Sequence, residues 1–436
     1  MRDSRVQREI ARFEAAIEAR RDELVAIVAD LVRRPSPLGA EAAAQAYVAA
    51  QLRDSALAVT AWDLDDRILL QPEAGTSGVP FAGRPNVTGR RSGRGGGRSL
   101  IFNGHIDVVS PEPVAAWTHD PWGAEIAGDR MYGRGAFDMK SGVAINLFLA
   151  RLAHDLEIPL AGDLIIHSVI EEECTGNGAL AASLRDRADA AIVTEPECGG
   201  FTHAHLGVIW FTVATTGRSW HAMEGWRGVN AIEKMVPVIE ALIELDRQLN
   251  QQRHPLWQET EHPINLNIGV ISGGDWPSTV PGACLLRCRV SFYPGQSIAE
   301  IQATVERAVS EAAAADPWLR EHPPQVSYEG FKSSGSTVSR NEPSVRLLGE
   351  HHRRVRGAPM RYLVGTSIND MRFYNFAGTP AGCYGAAGGN GHAADEWLDL
   401  PSLVLTAKVL AGFMLDWCGV VDGPGRSEGA DRIPLT

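Results

Sequence analysis

The sequence is poor in cysteine: 436 residues contain only six, scattered along the chain. Such spacing gives no disulfide framework, which excludes a small disulfide-stabilised secreted module. Cys284 and Cys288 lie in a strand-like stretch with no second Cys or His pair nearby, so we interpret them as small buried apolar residues. We therefore expect a reducing, cytoplasmic location.

Positive charge is also scarce. Lysine and arginine number 41 against 53 acidic residues, a formal net charge of −12. A nucleic-acid or anionic-membrane partner requires a basic surface, so we expect neither. The one locally basic stretch, RRSGRGGGR at residues 90–98, precedes a strand and lacks the G-K-[ST] ending of a phosphate loop. We interpret it as a mobile loop.

Long apolar runs are absent as well. The first twenty residues are charged throughout and contain no apolar core of a signal peptide. No run approaches the roughly eighteen apolar residues of a membrane span. No G-x-G-x-x-G follows a strand and opens a helix, which disfavours a dinucleotide-dependent enzyme. The length allows two domains, or one large domain with an insertion.

Short β-rich runs alternate with helical patterns over the first half of the chain. The strands are predicted at 99–103, 163–170 and 190–194, and the helices between them include 141–156 and 178–187. This alternation predicts an α/β domain with a mostly parallel sheet and helices on both faces.

The rhythm changes near residue 208 to a β-α-β-β-α order, which is typical of a ferredoxin-like α+β unit. The first rhythm resumes after the proline-rich segment at 321–325. We therefore predict a catalytic domain in two parts, an inserted lid or dimerisation domain between them, and a disordered tail. The ranges are 1–207 and 323–420 for the catalytic domain, 208–322 for the insertion and 421–436 for the tail.

Five polar clusters stand at the ends of predicted strands or in the loops that follow, where open α/β sheets place ligands. Each alone is more typical of a turn or a solvated loop. Together they offer two imidazoles and several carboxylates, the nitrogen and oxygen ligands that suit zinc or a similar divalent ion. The clusters are His105-x-Asp107, Asp138, Glu171–Glu173, Glu195 and His392.

The motifs around these residues resemble the dinuclear-zinc metallopeptidases and deacylases that include acetylornithine deacetylase, succinyl-diaminopimelate desuccinylase, aminoacylase-1 and the glutamate carboxypeptidases. Eight stretches match in the family's order across roughly residues 100 to 400. They are FNGHIDVV, DPW…YGRGAFDMKSG, EEECTGNGA, VTEPE, GRSWHA, VPG…YPGQ, GTSINDMR and GGNGHAADEW.

The resemblance implies two zinc ions, with cobalt or manganese as possible substitutes, about 3.5–4 Å apart as in other two-metal hydrolases. Asp138 resembles the carboxylate that bridges both metals. His105 and Glu195 would complete the first site, and Glu173 and His392 the second. Asp107 resembles the carboxylate that orients the first histidine. The family also often has a cis peptide bond after the bridging aspartate, here between Asp138 and Met139.

Glu172 resembles the general base, which takes a proton from the water between the metals and hands it to the leaving amine. The acidic triplet departs from the usual Asp-Glu-Glu, so its register could slip by one residue. We keep Glu172 as base and Glu173 as ligand, because the turn at Gly176 follows at an acceptable distance. Glu171 is then interpreted as merely solvated.

Two further roles come from the resemblance alone. His221, in the insertion, resembles the histidine that reaches across a dimer interface and donates to the developing oxyanion, which implies a homodimer. Arg372 resembles the arginine that binds the substrate carboxylate. Many relatives carry arginine where Ser291 stands, so nearby substrate contacts cannot be carried over.

These features predict a cytoplasmic dinuclear zinc amidohydrolase that removes the acyl group from an N-acyl amino acid, similar to acetylornithine deacetylase. A dipeptidase or carboxypeptidase with the same chemistry is the alternative. A third hypothesis is a catalytically silent binding protein that has lost the metals, but all five ligand positions retain suitable residues.

Overall fold

The computed structural model describes residues 4–421, so the predicted tail lies outside the described residues except for Val421. The helices are α1 (Ser4–Ala19), α2 (Arg21–Val32), α3 (Ala42–Asp54), α4 (Lys140–Asp155), α5 (Asn177–Arg185), α6 (Ala231–Gln251), α7 (Ile298–Ala315), α8 (Pro317–Glu321), α9 (Pro343–Arg356), α10 (Met371–Phe376) and α11 (Leu400–Cys418). The strands are β1 (Ala58–Trp62), β2 (Asn86–Arg91), β3 (Leu100–His105), β4 (Glu125–Ala127), β5 (Arg130–Tyr132), β6 (Leu164–Val169), β7 (Ala190–Val193), β8 (Phe201–His205), β9 (Gly207–Thr216), β10 (Trp220–His221), β11 (Leu266–Gly273), β12 (Thr279–Val280), β13 (Ala283–Phe292), β14 (Gln325–Ser327), β15 (Lys332–Ser333), β16 (Ser336–Thr337), β17 (Tyr362–Gly365), β18 (Ala381–Cys383), β19 (Gly388–Gly389) and β20 (Trp397–Asp399).

The larger sheet has nine strands in the order β1-β2-β6-β3-β7-β18-β8-β16, with β17 also paired to β8. Its centre, β6-β3-β7-β18, is parallel, whereas β1, β2 and β16 pair antiparallel towards the edges. Every residue of β3, β6 and β7 is buried, as expected for apolar strands covered on both faces. The predicted α/β class is confirmed.

The helices around this sheet form two groups. Helices α2, α3, α4 and α11 contact one another, α5 and α10 contact each other, and both groups contact strands of the sheet. A core of buried aliphatic and aromatic side chains joins both groups to the strands. This core holds the ends of the central strands in place.

Helix α11 is, by length and composition, apolar enough to cross a membrane. However, 78% of its most apolar window is buried within the protein, where it packs against α1, α9 and α4. We therefore interpret α11 as a core helix, and its apolar composition follows from burial on all sides.

A smaller sheet, in the order β11-β13-β9-β14 with β15 also on β9, packs one face against α6 and α7. The β-α-β-β-α order is as predicted. Helix α7 begins where Ser297 and Glu300 form a reciprocal capping box. Since β14 and β15 join this sheet beyond residue 322, we propose that the inserted domain extends to about Ser333.

Apolar residues recur at helical spacing from Val6 to Leu31, which predicts a single long amino-terminal helix and an apolar stripe along it, and the structure differs from this prediction. The segment forms α1 and α2, which are separated at Arg20, where the backbone leaves the helical region with φ −114° and ψ 24°. Both helices still bury the predicted apolar stripe, so the periodicity identified the buried face but not the break.

Candidate metal centre

The carboxyl ends of three adjacent parallel strands bring most of the predicted site together. Strand β3 ends at His105, β6 is followed by the triplet Glu171–Glu173, and β7 is followed by Glu195. Because β6, β3 and β7 are neighbours and parallel, these side chains share one edge of the sheet.

The first group of candidate ligands consists of His105, Asp138 and Glu195. Nε2 of His105 lies 3.3 Å from Oδ1 of Asp138 and 3.6 Å from Oε1 of Glu195. The ring is 1% exposed, and Nε2 has no hydrogen-bond partner within residues 4–421. On the other side of the ring, Nδ1 lies 2.9 Å from the carbonyl oxygen of Asp107, which requires the Nδ1–H tautomer in the neutral ring. The lone pair of Nε2 is therefore available to a cation.

The second group consists of Asp138, Glu173 and His392. Nε2 of His392 lies 3.4 Å from Oδ2 of Asp138 and 2.9 Å from Oε2 of Glu173. Asp138 thus belongs to both groups and directs one carboxylate oxygen towards each imidazole. The two groups share a carboxylate in the way that a pair of bridged cations requires.

Charge supports a cation at this position. Four carboxylates, from Asp138, Glu172, Glu173 and Glu195, crowd around two histidines. Burial raises the pKa of Glu195 well above its usual range, with His105 opposing this shift and the neighbouring carboxylates adding to it. The nitrogen and oxygen donors and the unpartnered Nε2 of His105 fit divalent cations such as zinc.

Glu172 lies beside both groups but belongs to neither. Its Oε2 is 3.9 Å from Nε2 of His105. Burial raises the pKa of Glu172 well above its usual range; His105 opposes the shift, and Asp370, Glu173 and Asp138 add to it. A carboxylate of raised pKa next to two candidate ligand groups is suited to accept and return a proton. Glu173 belongs to a ligand group and Glu172 does not; the register of the triplet stays a prediction.

The prediction for Glu171 is wrong, because this side chain is buried and ion-paired. Its Oε1 accepts from Nη1 of Arg84 at 2.8 Å, and the same guanidinium binds Glu41 through Nε and Nη2. Glu171 also accepts hydrogen bonds from the side chains of Ser77, Thr175 and Asn177. Its backbone has a φ of +68°, so the triplet begins in a tight turn that the ion pair anchors.

Asp107 contacts the site differently from the prediction. Its carbonyl oxygen, and not its carboxylate, is the hydrogen-bond partner of His105; Oδ1 lies 3.7 Å from Nδ1. The two carboxylate oxygens instead accept the backbone N–H groups of Glu172 at 3.2 Å and Glu173 at 3.0 Å. Asp107 therefore positions the histidine through its main chain and the glutamates through its side chain.

Replacing Asp107 with asparagine is expected to reduce activity by roughly 10–100-fold, the usual effect of removing a residue that supports metal ligands. The asparagine NH₂ would face one of the two N–H donors and displace the Glu172–Glu173 turn. Steady-state kinetics and metal content measure the effect. Asp246→Asn is the matched control, because Asp246 also accepts a backbone N–H, that of Leu266, but in the inserted domain. Equal activity in both variants would contradict the role of Asp107.

Two residues near the site received no role from the sequence. Glu396 is buried, pairs with Arg134 at 2.6 Å and accepts the backbone N–H groups of Gly135, Phe137 and Asp138, so it holds the loop of the shared carboxylate. Asp370 is fully buried, and burial raises its pKa to about 6. Both residues lie in motifs quoted above. The sequence alone does not distinguish Glu396 from a solvated acid, because its ion-pair partner Arg134 is distant along the chain.

The expected cis peptide bond between Asp138 and Met139 is present. His221 lies in β10, exposed and outside both ligand groups of its own chain. Its Nδ1 accepts the N–H of Met223, which leaves Nε2 as the hydrogen-bond donor. Arg372 is buried, and its guanidinium donates to the carbonyl oxygens of Asn369 and Thr175 at the edge of a cavity that Glu172 also lines.

Comparison with known proteins identifies relatives of this arrangement. Residues 101–416 match the model of peptidase family M20/M25/M40. An N-formyl-4-amino-5-aminomethyl-2-methylpyrimidine deformylase from Halalkalibacterium halodurans is 30% identical over 440 residues, which cover 93% of this chain and 96% of the relative. An acetylornithine deacetylase from Edwardsiella ictaluri is 32% identical over 271 residues, 59% of this chain and 67% of the relative. The fold resembles a tripeptidase from Staphylococcus aureus with a TM-score of 0.71 at 19% identity, covering 90% of this chain and 97% of that one.

Proposed function

The chain belongs to peptidase family M20/M25/M40, and from this we propose that it is a dinuclear zinc amidohydrolase that removes the acyl group from a small N-acylated amine. One observation carries the proposal. Asp138 is shared by two ligand groups, and Glu172 stands beside both without belonging to either. A hydrolase with two metals and a separate general base requires this arrangement, in which one carboxylate binds both metals and another carboxylate is free to transfer a proton.

In this proposal His105 and Glu195 hold one ion, Glu173 and His392 the other, and Asp138 both. When bound, the two ions would acidify the attacking water and polarise the scissile carbonyl. Glu172 accepts the proton of that water and passes it to the leaving nitrogen. Zinc suits this mixture of imidazole and carboxylate ligands, and cobalt or manganese would be possible substitutes.

Deacylation is favoured over dipeptide cleavage by two relatives that the chain resembles in sequence. The names of both describe the removal of a small acyl group, and the deformylase similarity extends over almost the whole of both chains. The sequence predicts an N-acyl amino acid as substrate; the deformylase adds a heteroaromatic amine as a second candidate.

All six cysteines are unpaired, which supports the expected cytoplasmic location.

We further propose a homodimer through the inserted domain, in which His221 of one copy donates Nε2–H to the oxyanion in the other. Strand β11 is an edge strand, and exposed apolar side chains continue from it onto α6. They are Val270, Ile271, Ile232, Val236 and Ile243. Sedimentation velocity at micromolar concentration tests the dimer, and a monomer that is fully active would contradict it.

The metal assignment predicts two equivalents of zinc per chain and complete loss of activity on chelation, restored by zinc or cobalt. His392→Ala should lower the content to one equivalent, because His392 belongs to only one group. Plasma emission spectroscopy measures the metal, and a panel of N-formyl amines, N-acetyl amino acids and dipeptides measures the reaction. His262→Ala, at an exposed histidine of the inserted domain, is the control.

Turnover of dipeptides alone would overturn deacylation. A protein that stays metal-free and inactive after zinc addition would overturn the proposal that it is an enzyme.

A further inference from the structure

We infer that the amine part of the substrate carries a planar aromatic or heteroaromatic ring, which stacks on Trp210 with a hydrogen-bond acceptor facing Arg289. This inference rests on the proposed deacylation and names the class of molecule that the same site takes. Its basis is the set of side chains that line a cavity next to Glu172, chiefly Trp210 and Arg289.

The cavity measures about 290 Å³ and joins the two domains. Glu172, Glu173 and Cys174 line it from the catalytic edge, while Trp210 and Arg289 line it from the smaller sheet. A ligand with its amide at Glu172 therefore extends its remaining part towards these two residues. The volume lies near the lower end for ligand sites, which suits a small molecule more than a long peptide.

Trp210 is a half-exposed aromatic side chain that lines this cavity. Side chains alternate along β9: Ile209 and Phe211 are buried in the core of the inserted domain, and Trp210 between them is 49% exposed on the other face. Phe331 contacts the indole with ring centroids 6.0 Å apart and planes tilted by 47°. Because the two rings touch, a ligand ring stacks on the exposed part of the indole and not between them.

Gly330 explains how the indole fits. Its φ is +87°, and a Cβ built on it would lie 3.1 Å from Cε3 of Trp210. A glycine at this turn therefore lets the chain pass close to the six-membered ring of the indole. The indole packs against the chain at Gly330 and against Phe331, and its exposed part is available for stacking with a ligand ring.

Arg289 supplies the polar contact. It lies directly across from Trp210 in the β9–β13 pair, so both side chains are on the same face. Its Nε is buried and has no hydrogen-bond partner among the described residues, and such a donor calls for an acceptor from a ligand. Arg372 at the same cavity also has an Nε without a partner among the described residues, but its other two nitrogens already donate to carbonyl oxygens. A ring nitrogen or carbonyl oxygen of the ligand would satisfy Arg289.

The first test compares two formamides of equal bulk, N-formylbenzylamine and N-formyl-cyclohexylmethylamine, with the zinc-loaded full chain. We expect kcat/KM to favour the aromatic compound by roughly 2- to 12-fold, the range of a stacking contact. Trp210→Leu should abolish this preference by raising KM for the aromatic compound more than for the cyclohexyl compound. Trp276→Leu, at another exposed tryptophan of the inserted domain, should retain it.

The second test concerns Arg289. N-formyl-(pyridylmethyl)amines, which add a ring nitrogen, should be preferred over N-formylbenzylamine, and Arg289→Met should remove that difference. Calorimetric binding of the same compounds to the Glu172→Gln variant measures ring preference without turnover. Equal affinity for the benzyl and cyclohexyl compounds, or a preference that survives Trp210→Leu, would overturn the inference. A ring preference in binding combined with no hydrolysis of any amide would instead overturn the proposed function.

Discussion

Glu172→Gln is expected to lower kcat by about 10²–10⁴-fold, the usual contribution of a general base. Glutamine keeps the size of the side chain but cannot accept the proton of the attacking water. Glu172 belongs to neither ligand group, so the variant should bind as much zinc as the unchanged protein and unfold at the same temperature. Single-turnover kinetics, together with metal analysis, measure the effect.

Glu173→Gln is the matched comparison, because it changes the neighbouring residue in the same way. Glu173 lies 2.9 Å from Nε2 of His392 and belongs to the second ligand group, so this variant should lose zinc as well as activity. If Glu172→Gln were the variant that lost zinc, the two roles would have to be exchanged. The pair therefore tests the register of the triplet, which its sequence leaves open.

The parts of the site that lie on central strands could be predicted because periodicity and the resemblance agree there. His105, Glu195 and the triplet all follow short, fully buried runs, and parallel strands bring their ends to one edge. The inserted domain was equally accessible: its β-α-β-β-α order was predicted, and a capping box marks the start of α7. Strong local signals and the fold agree at these positions.

Edge strand β1 and the strands of a separate four-stranded sheet, in the order β19-β20-β5-β4, were missed for a physical reason. Strand β1 is largely exposed and shows no regular alternation of apolar and polar residues, and β4, β5, β19 and β20 are two or three residues long. Pairing in the fold, and not local propensity, makes these segments strands, and the pairing of β5 with β20 joins segments that are distant in the sequence. The same reason applies to side chains whose partners are far away along the chain.

Glu171 is the clearest example. A run of three glutamates has the composition of a solvated loop, and nothing near it in the sequence indicates that the first of them is buried. The partner, Arg84, lies 87 residues earlier and also binds Glu41. A sequence pattern describes only residues that are close along the chain. The triad of Glu41, Arg84 and Glu171 comes together only because the fold brings three distant segments into contact.

Arg84→Met should destabilise the protein by about 3–5 kcal/mol, the usual consequence of removing one partner from a buried ionic group. Arg84, Glu41 and Glu171 are all buried, so the variant leaves two carboxylates without their cation. Urea unfolding followed by circular dichroism measures the change. Arg67→Met is the control: Arg67 binds Asp65 through several nitrogens, but both side chains are exposed, so its midpoint should not move. Equal midpoints for the two variants would mean that Glu171 behaves as a solvated acid after all.

The same variant should also weaken catalysis, because the triad supports the turn that carries the base. The carbonyl oxygen of Glu171 accepts the N–H groups of Thr175 and Gly176, and its positive φ sets the direction in which Glu172 leaves the strand. Without Arg84 the carboxylate of Glu171 is driven towards water, and the turn moves with it. We therefore expect kcat to fall in Arg84→Met even under conditions where the protein remains folded, whereas a purely structural ion pair would leave the kcat of the folded fraction unchanged.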